Sequence, residues 1–126
     1  TNVLLYLLSG EDGKADRAEE VVAAGGVISV QVLNEFAAVA ARKLHMDWTE
    51  IGDILMQVRA VCRAVPLTVQ THEAALRLAT RWQLSIYDAA IVAAALEADC
   101  RILYSQDMQH GQVFEKRLKV VDPFRA

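Results

Sequence analysis

The stretch Ser85-Ile-Tyr-Asp-Ala-Ala-Ile-Val-Ala-Ala-Ala-Leu96 carries the strongest information about the fold. From Ala89 onward it is apolar on every face of a helix, which is typical of a buried helix rather than an amphipathic one. We place this helix at Asp88–Ala98. Asp88 then stands in the first turn, where its charge is costly unless the positive end of the helix dipole or a bound cation compensates it.

A second acid, Asp107, follows a predicted strand at Arg101–Tyr104. Open α/β sheets bind their ligands where strands end. An acid at a helix start and an acid beyond a strand end can therefore face the same crevice. Two carboxylates in one crevice are typical of a site for a divalent metal ion.

The remaining chain alternates between the two kinds of element. Strands are predicted at Val27–Val30, Ala64–Leu67 and Leu118–Val121, and helices at Lys14–Ala24, Leu33–Leu44, Asp47 to about Val61, and Thr71–Trp82. Pro66 indicates an edge strand, since proline cannot donate to a sheet. Gly10–Gly13 is predicted to be a turn, and the apolar run Asn2–Leu8 is compatible with a helix or a strand. Such alternation predicts βαβ units with a parallel sheet, in a single α/β domain over residues 1–126.

Glu35 repeats the pattern seen at Asp88. It lies in the first turns of the predicted helix Leu33–Leu44, directly before the apolar stretch Phe36-Ala-Ala-Val-Ala-Ala. Two interpretations are open: a surface acid favoured by the helix dipole, or a third member of the acidic site.

Composition narrows the class of protein. The chain has 126 residues, of which 54% are hydrophobic, and a net charge of −3. No run of about 18 apolar residues predicts a membrane span. The negative charge argues against bulk attraction to nucleic acid, but not against an enzyme that binds a short stretch of it. Cys62 and Cys100 lack metal-site spacing, which favours buried free thiols and a reducing cytoplasm over a disulfide or a zinc site.

Four motifs together resemble those of PIN-domain ribonucleases, and most of all the toxin subunits of bacterial VapBC-type toxin–antitoxin modules. They are Thr1-Asn-Val-Leu-Leu-Tyr, Asn34-Glu35-Phe, Tyr87-Asp88-Ala-Ala-Ile and Tyr104-Ser-Gln-Asp107-Met-Gln-His-Gly. The likeness spans nearly the whole chain. Each motif is weak alone, but four in this order are specific.

The resemblance implies a PIN-like three-layer α/β/α fold, with a short parallel sheet flanked by helices. It implies an endoribonuclease that gathers Glu35, Asp88 and Asp107 around Mg²⁺ or Mn²⁺ as metal ligands and catalytic residues. Ser105 matches the small hydroxyl residue beside the last acid, and Asn2 the polar residue after the first. The implied partners are an RNA substrate, a cognate antitoxin and a second copy of the chain in a homodimer, with no membrane.

One departure from the family concerns the start of the chain. The family's first acid is an aspartate immediately before the position of Thr1, at the end of a first strand. We therefore expect that the sequence is trimmed, and that a short apolar strand ending in Asp precedes it. Without that strand the centre of the sheet would expose two hydrogen-bonding edges.

Two other functions stay open at the level of sequence. One is a PIN nuclease that processes RNA without an antitoxin. The other is a catalytically inactive α/β domain with a regulatory or binding role. His110 also has two interpretations, since it could touch a phosphate near Asp107 or serve a structural role in its Gln-His-Gly turn.

Overall fold

A computed structural model describes residues 12–125 of the chain. Its helices are α1 Asp12–Ala23, α2 Val30–Lys43, α3 Trp48–Val61, α4 Val69–Trp82 and α5 Ile86–Glu97. Its strands are β1 Gly26–Ser29, β2 Cys62–Val65, β3 Ile102–Tyr104, β4 Val113–Phe114 and β5 Leu118–Val121. Asn2 and the apolar run Asn2–Leu8 lie outside the described residues.

The strands form two small sheets. β1 pairs with β2 in parallel, and β5 pairs in parallel with β3 and antiparallel with β4. The α/β class, the parallel pairing and the three-layer α/β/α arrangement are confirmed. Sequence reasoning missed β4, because two residues are too few to show an alternating pattern.

The helix α5 is buried, as predicted. Six of its twelve residues are buried: Ala89, Ala90, Val92, Ala93, Ala94 and Ala95. All of them except Ala94 join one core with residues of α4, β4 and β5, among them Leu78, Phe114 and Leu118. Alanine side chains let α4 and the sheet approach the α5 backbone closely, so the helix forms the middle of this half of the domain.

A second core lies between α2, α3 and β1, and its buried members are Ile28, Phe36, Ala40, Ile51 and Val58. Glu50 follows Asp47 by three residues, a spacing that predicts a capping box, and the structure confirms one at the start of α3. The Glu50 amide donates to Oδ1 of Asp47 at 2.8 Å, and the Asp47 amide donates to Oε1 of Glu50 at 3.3 Å. This cap sets where α3 begins.

Several predicted boundaries are wrong by two or three residues, because side-chain caps start the helices earlier. Ser29 accepts a hydrogen bond from the Val32 amide, so α2 begins at Val30 instead of Leu33. Thr68 and Ser85 do the same for α4 and α5, which begin two residues before the predicted positions. These hydroxyls outweigh the weak helix preference of the β-branched residues that follow them.

Two further corrections concern a proline and a glycine. β2 ends at Val65, directly before Pro66, and does not run on to Leu67. Its edge position is confirmed among the described strands. Gly13 lies inside α1 and not in the predicted turn.

The two sheets lie on either side of a cavity of about 380 Å³. Its walls include Gly26–Ser29 of β1 and Ile102–Tyr104 of β3. Within residues 12–125, β1 pairs only with β2 and β3 pairs only with β5. Both strands thus border the cavity, and the candidate site involves the segments that follow them.

Candidate active site

Three acids from three separate elements line this cavity: Glu35, Asp88 and Asp107. Glu35 lies in the second turn of α2, Asp88 in the first turn of α5, and Asp107 in the loop between β3 and β4. The fold thus brings together the three acids that the sequence singled out. Glu35 and Asp88 are half-buried, whereas Asp107 is exposed.

Glu35 is positioned by the direct passage from β1 into α2. Ser29 ends the strand and caps the helix, so no loop separates them. One helical turn before the acid, Gln31 donates a hydrogen bond from Nε2 to Oε2 of Glu35 at 2.7 Å. A donor on one carboxylate oxygen restricts the rotamers of the Glu35 side chain. Sequence reasoning missed Gln31, although its spacing of four residues from Glu35 was a usable signal.

Asp88 is positioned by the cap of α5. Ser85 accepts a hydrogen bond from the Asp88 amide at 3.1 Å. Burial raises the pKa of the Asp88 carboxyl above its ordinary value, and the negative charges of Asp107 and Glu35 raise it further. A side-chain hydrogen bond from Ser85 acts in the opposite direction and lowers the pKa. Asp107 and Glu35 are therefore close enough to Asp88 for their charges to disfavour its ionised form.

Asp107 lies on a tight turn that Ser105 closes. The Ser105 amide donates to the Val121 carbonyl at 3.1 Å, and its hydroxyl accepts from the Met108 amide at 3.3 Å. The Met108 side chain is buried in the core around α5. The turn is thus held by a strand on one side of Asp107 and by an apolar anchor on the other.

His110 lies on the same loop. Of its two interpretations, a phosphate contact or a structural role, the geometry favours the structural role. Its Nδ1 accepts a hydrogen bond from the Asp122 amide at 3.0 Å. No short-range pattern in the sequence marks this contact.

The acids can be tested against the needs of a divalent cation. Hard cations such as Mg²⁺ and Mn²⁺ prefer carboxylate oxygens, and Mg²⁺ keeps several waters and takes few protein ligands. A cation would also relieve the repulsion that raises the pKa of Asp88. Between residues 12 and 125, no three His, Cys, Asp or Glu side chains are gathered tightly enough to form a complete ligand set. The donor chemistry of the three acids nevertheless fits such a cation.

The two cysteines also line the cavity, near the starts of β2 and β3. Both are free, as predicted, but they are half-buried and not fully buried. Burial raises the pKa of Cys62 and of Cys100. Protonated thiols are poor nucleophiles and poor metal ligands, so the chemistry of the cavity lies with the carboxylates.

The motifs and the geometry agree with a comparison against protein families. The sequence model of the PIN domain family matches residues 1–115 of the chain. The chain belongs to the PIN-domain family. PIN domains are generally nucleases that bind RNA and use divalent metal ions. No curated protein matches the chain significantly. None of the described helices of this PIN domain is long and apolar enough to cross a membrane.

Proposed function

We propose that the chain is an endoribonuclease that hydrolyses RNA phosphodiester bonds with the help of Mg²⁺ or Mn²⁺. Glu35, Asp88 and Asp107 hold the cation and form the catalytic centre, and Ser105 and Asn2 support it. One observation carries this proposal. Three carboxylates from distant parts of the chain line one cavity, and two of them raise the pKa of the third.

The chemistry follows from the charge of the site. When bound, the cation supplies an activated water and offsets the charge that develops on the scissile phosphate. Glu35, Asp88 and Asp107, which line the cavity, would hold it. Gln31 holds the Glu35 side chain, and the Ser105 turn holds Asp107. The half-buried Asp88 gives the arrangement its strongest affinity for positive charge, because its ionised form is poorly solvated there.

A cleavage assay tests this proposal. The chain, purified free of any partner, is incubated with structured RNA in Mn²⁺ or Mg²⁺, and with EDTA. We expect cleavage that needs the metal and falls about a hundredfold or more in Asp107→Asn, since a lost metal ligand costs several kcal/mol of transition-state stabilisation. Asp53→Asn is the matched control, because Asp53 is exposed on α3 and remote in sequence from the site. Cleavage that persists in Asp107→Asn would mean a contaminating nuclease.

The biological role that we propose is the toxin of a cytoplasmic toxin–antitoxin module. The resemblance of the four motifs supports it, and the free cysteines are typical of a reducing compartment. Expression of the chain alone should arrest growth of a bacterial host, and Asp107→Asn should not. Co-expression of a small protein encoded beside it should restore growth. A PIN nuclease that only processes RNA would leave growth unaffected without any partner.

We also propose that the chain forms a homodimer. On α3, Trp48 is 70% exposed and Met56 is 69% exposed. Large exposed apolar side chains are typical of interaction surfaces. Sedimentation of the wild type and of Trp48→Glu would test this, and a monomer at all concentrations would contradict it.

An inactive binding domain is the second candidate function. One observation favours it: between residues 12 and 125, no three His, Cys, Asp or Glu side chains are grouped so that they could hold a metal ion. This candidate predicts that the chain binds Mn²⁺ in calorimetry but cleaves no RNA in the same buffer.

A further inference from the structure

The loop that carries Asp107 is tied to β5 at both of its ends. Beyond the Ser105 amide, the Gly111 amide donates to the Val120 carbonyl, and the Val120 amide donates to the Gln112 carbonyl, both at 2.8 Å. These bonds hold the two ends of the loop. Asp107 lies between them, on the exposed part.

His110 adds a bond that reaches past the end of β5. Its Nδ1 accepts from the amide of Asp122, the residue that follows the strand. The Nδ1 atom thus acts as a hydrogen-bond acceptor between the Asp107 loop and the chain beyond the sheet.

The partner of His110 belongs to a turn that is itself held in place. Oδ1 of Asp122 accepts from the Phe124 amide at 2.9 Å, and the Pro123 carbonyl accepts from Nε of Arg17 at 2.8 Å. Pro123 is buried. The turn Asp122–Phe124 is therefore fixed to α1, and it lies after the residues that match the PIN domain.

We propose that His110 is a positioning residue that fixes the Asp107 loop against the turn Asp122–Phe124. An effect of His110 on catalysis rests on the proposed function, since the loop carries Asp107, which we assign to the metal site. Its structural part stands on the hydrogen bonds alone. The segment after the PIN match thereby becomes part of the support of the active site.

Three variants test the proposal. His110→Ala removes the acceptor. His110→Asn keeps one, because Oδ1 of asparagine can occupy the place of Nδ1 and accept from the Asp122 amide. His72→Ala is the control, since His72 is exposed on α4. The melting temperature of each variant shows whether it is folded.

Hydrogen exchange of the segment 105–112 is the first readout. We expect it to be about fivefold faster in His110→Ala, the factor expected for the loss of one hydrogen bond. It should stay near the wild-type rate in His110→Asn and in His72→Ala. The second readout is the affinity for Mn²⁺, measured by calorimetry without RNA. It should fall about tenfold in His110→Ala, as for other groups that orient a metal ligand, and return in His110→Asn.

Equal exchange in His110→Ala and the wild type would overturn the proposal. So would His110→Asn behaving as His110→Ala in both readouts, since a retained acceptor for the Asp122 amide would then not hold the loop. A wild type that neither binds Mn²⁺ nor cleaves RNA would refute the proposed function instead. In that case the exchange rates alone decide whether His110 fixes the loop.

Discussion

Gln31 and Glu35 lie one turn apart on α2, and the Gln31 amide nitrogen donates to the Glu35 carboxylate at 2.7 Å. The bond occupies one oxygen of the acid and orients the side chain on the wall of the cavity. A neutral donor does this without adding charge. Gln31 therefore orients the Glu35 carboxylate without placing a positive charge beside it.

Replacement of Gln31 should impair the nuclease with little effect on stability. In Gln31→Met the side chain keeps its length but loses the donor, and we expect cleavage to fall about tenfold, the lower end for groups that orient metal ligands. Gln57→Met, at an exposed position of α3, is the control. Initial rates and melting temperatures measure the two effects. Unchanged rates in Gln31→Met would show that the bond does not matter for catalysis.

Asp88 should destabilise the metal-free protein at neutral pH. Its pKa in the folded protein is raised above the ordinary 3.8. Below pH 3.8 the protonated Asp88 carboxyl makes its full contribution to the free energy of unfolding. This contribution is lost as the pH rises through the raised pKa of the folded protein. We therefore expect Asp88→Asn to melt at a higher temperature than the wild type at pH 7 in EDTA, while it loses activity.

The melting temperatures of Asp88→Asn and the wild type, compared again below pH 3.8, provide a control. There the carboxyl is protonated in both folded and unfolded chains, so the advantage of Asp88→Asn should vanish. Asp53→Asn, on the exposed face of α3, should show no comparable gain at either pH. A wild type that melts above Asp88→Asn at pH 7 would contradict the raised pKa.

The electrostatic link between the acids can be measured directly. Asp107→Asn removes the negative charge that is the second largest cause of the raised pKa of Asp88. We expect the pKa of Asp88 to fall in this variant, and to fall less in Glu35→Gln, whose charge contributes less. Carboxyl carbon chemical shifts followed against pH would report the change. A pKa that moves in neither variant would place the acids too far apart to share a cation.

Metal binding should stabilise the folded protein. With Mg²⁺ or Mn²⁺ at about 100 times its dissociation constant, the free energy of unfolding should rise by roughly 2.7 kcal/mol. EDTA should reverse the gain. Asp88→Asn should gain much less, because it lacks the half-buried ligand. An equal gain in both proteins would place the metal elsewhere.

Ser85 should affect stability and the site together. It caps α5 and also lowers the pKa of Asp88. Ser85→Ala should cost about 1 kcal/mol of stability, as is usual for a lost cap, and should raise the pKa of Asp88 further. Ser85→Thr, which keeps the hydroxyl, should retain most of both properties. Denaturant unfolding and the carboxyl titration would measure the two effects separately.

The spacing of apolar and capping residues along the chain was enough to predict the buried helix and the capping box. The apolar run after Asp88 predicted a buried helix, and six of its residues are buried. The spacing of Asp47 and Glu50 predicted a capping box, which is present. Boundaries failed where a hydroxyl decided them, as at Ser29 and Thr68, because a cap is a single interaction that periodicity does not register.

The candidate site was predictable as a set of residues but not as an arrangement. Glu35, Asp88 and Asp107 stand out because each is an acid placed where an apolar helix starts or a strand ends. That they face one cavity follows from the packing of α2, α5 and the loop after β3. Sequence carries the chemistry of each group, whereas distances between groups depend on the whole core.

The supports of the site depend on contacts between distant parts of the chain. His110 meets Asp122 because β5 returns beside β3, and Arg17 meets Pro123 because α1 packs near the end of the chain. Such bonds leave no periodic trace, since each joins a side chain to a backbone atom many residues away. The amino-acid order specified which groups the protein has and which segments form helices and strands. Tertiary packing specified which groups meet, because only the buried core brings them within hydrogen-bonding distance.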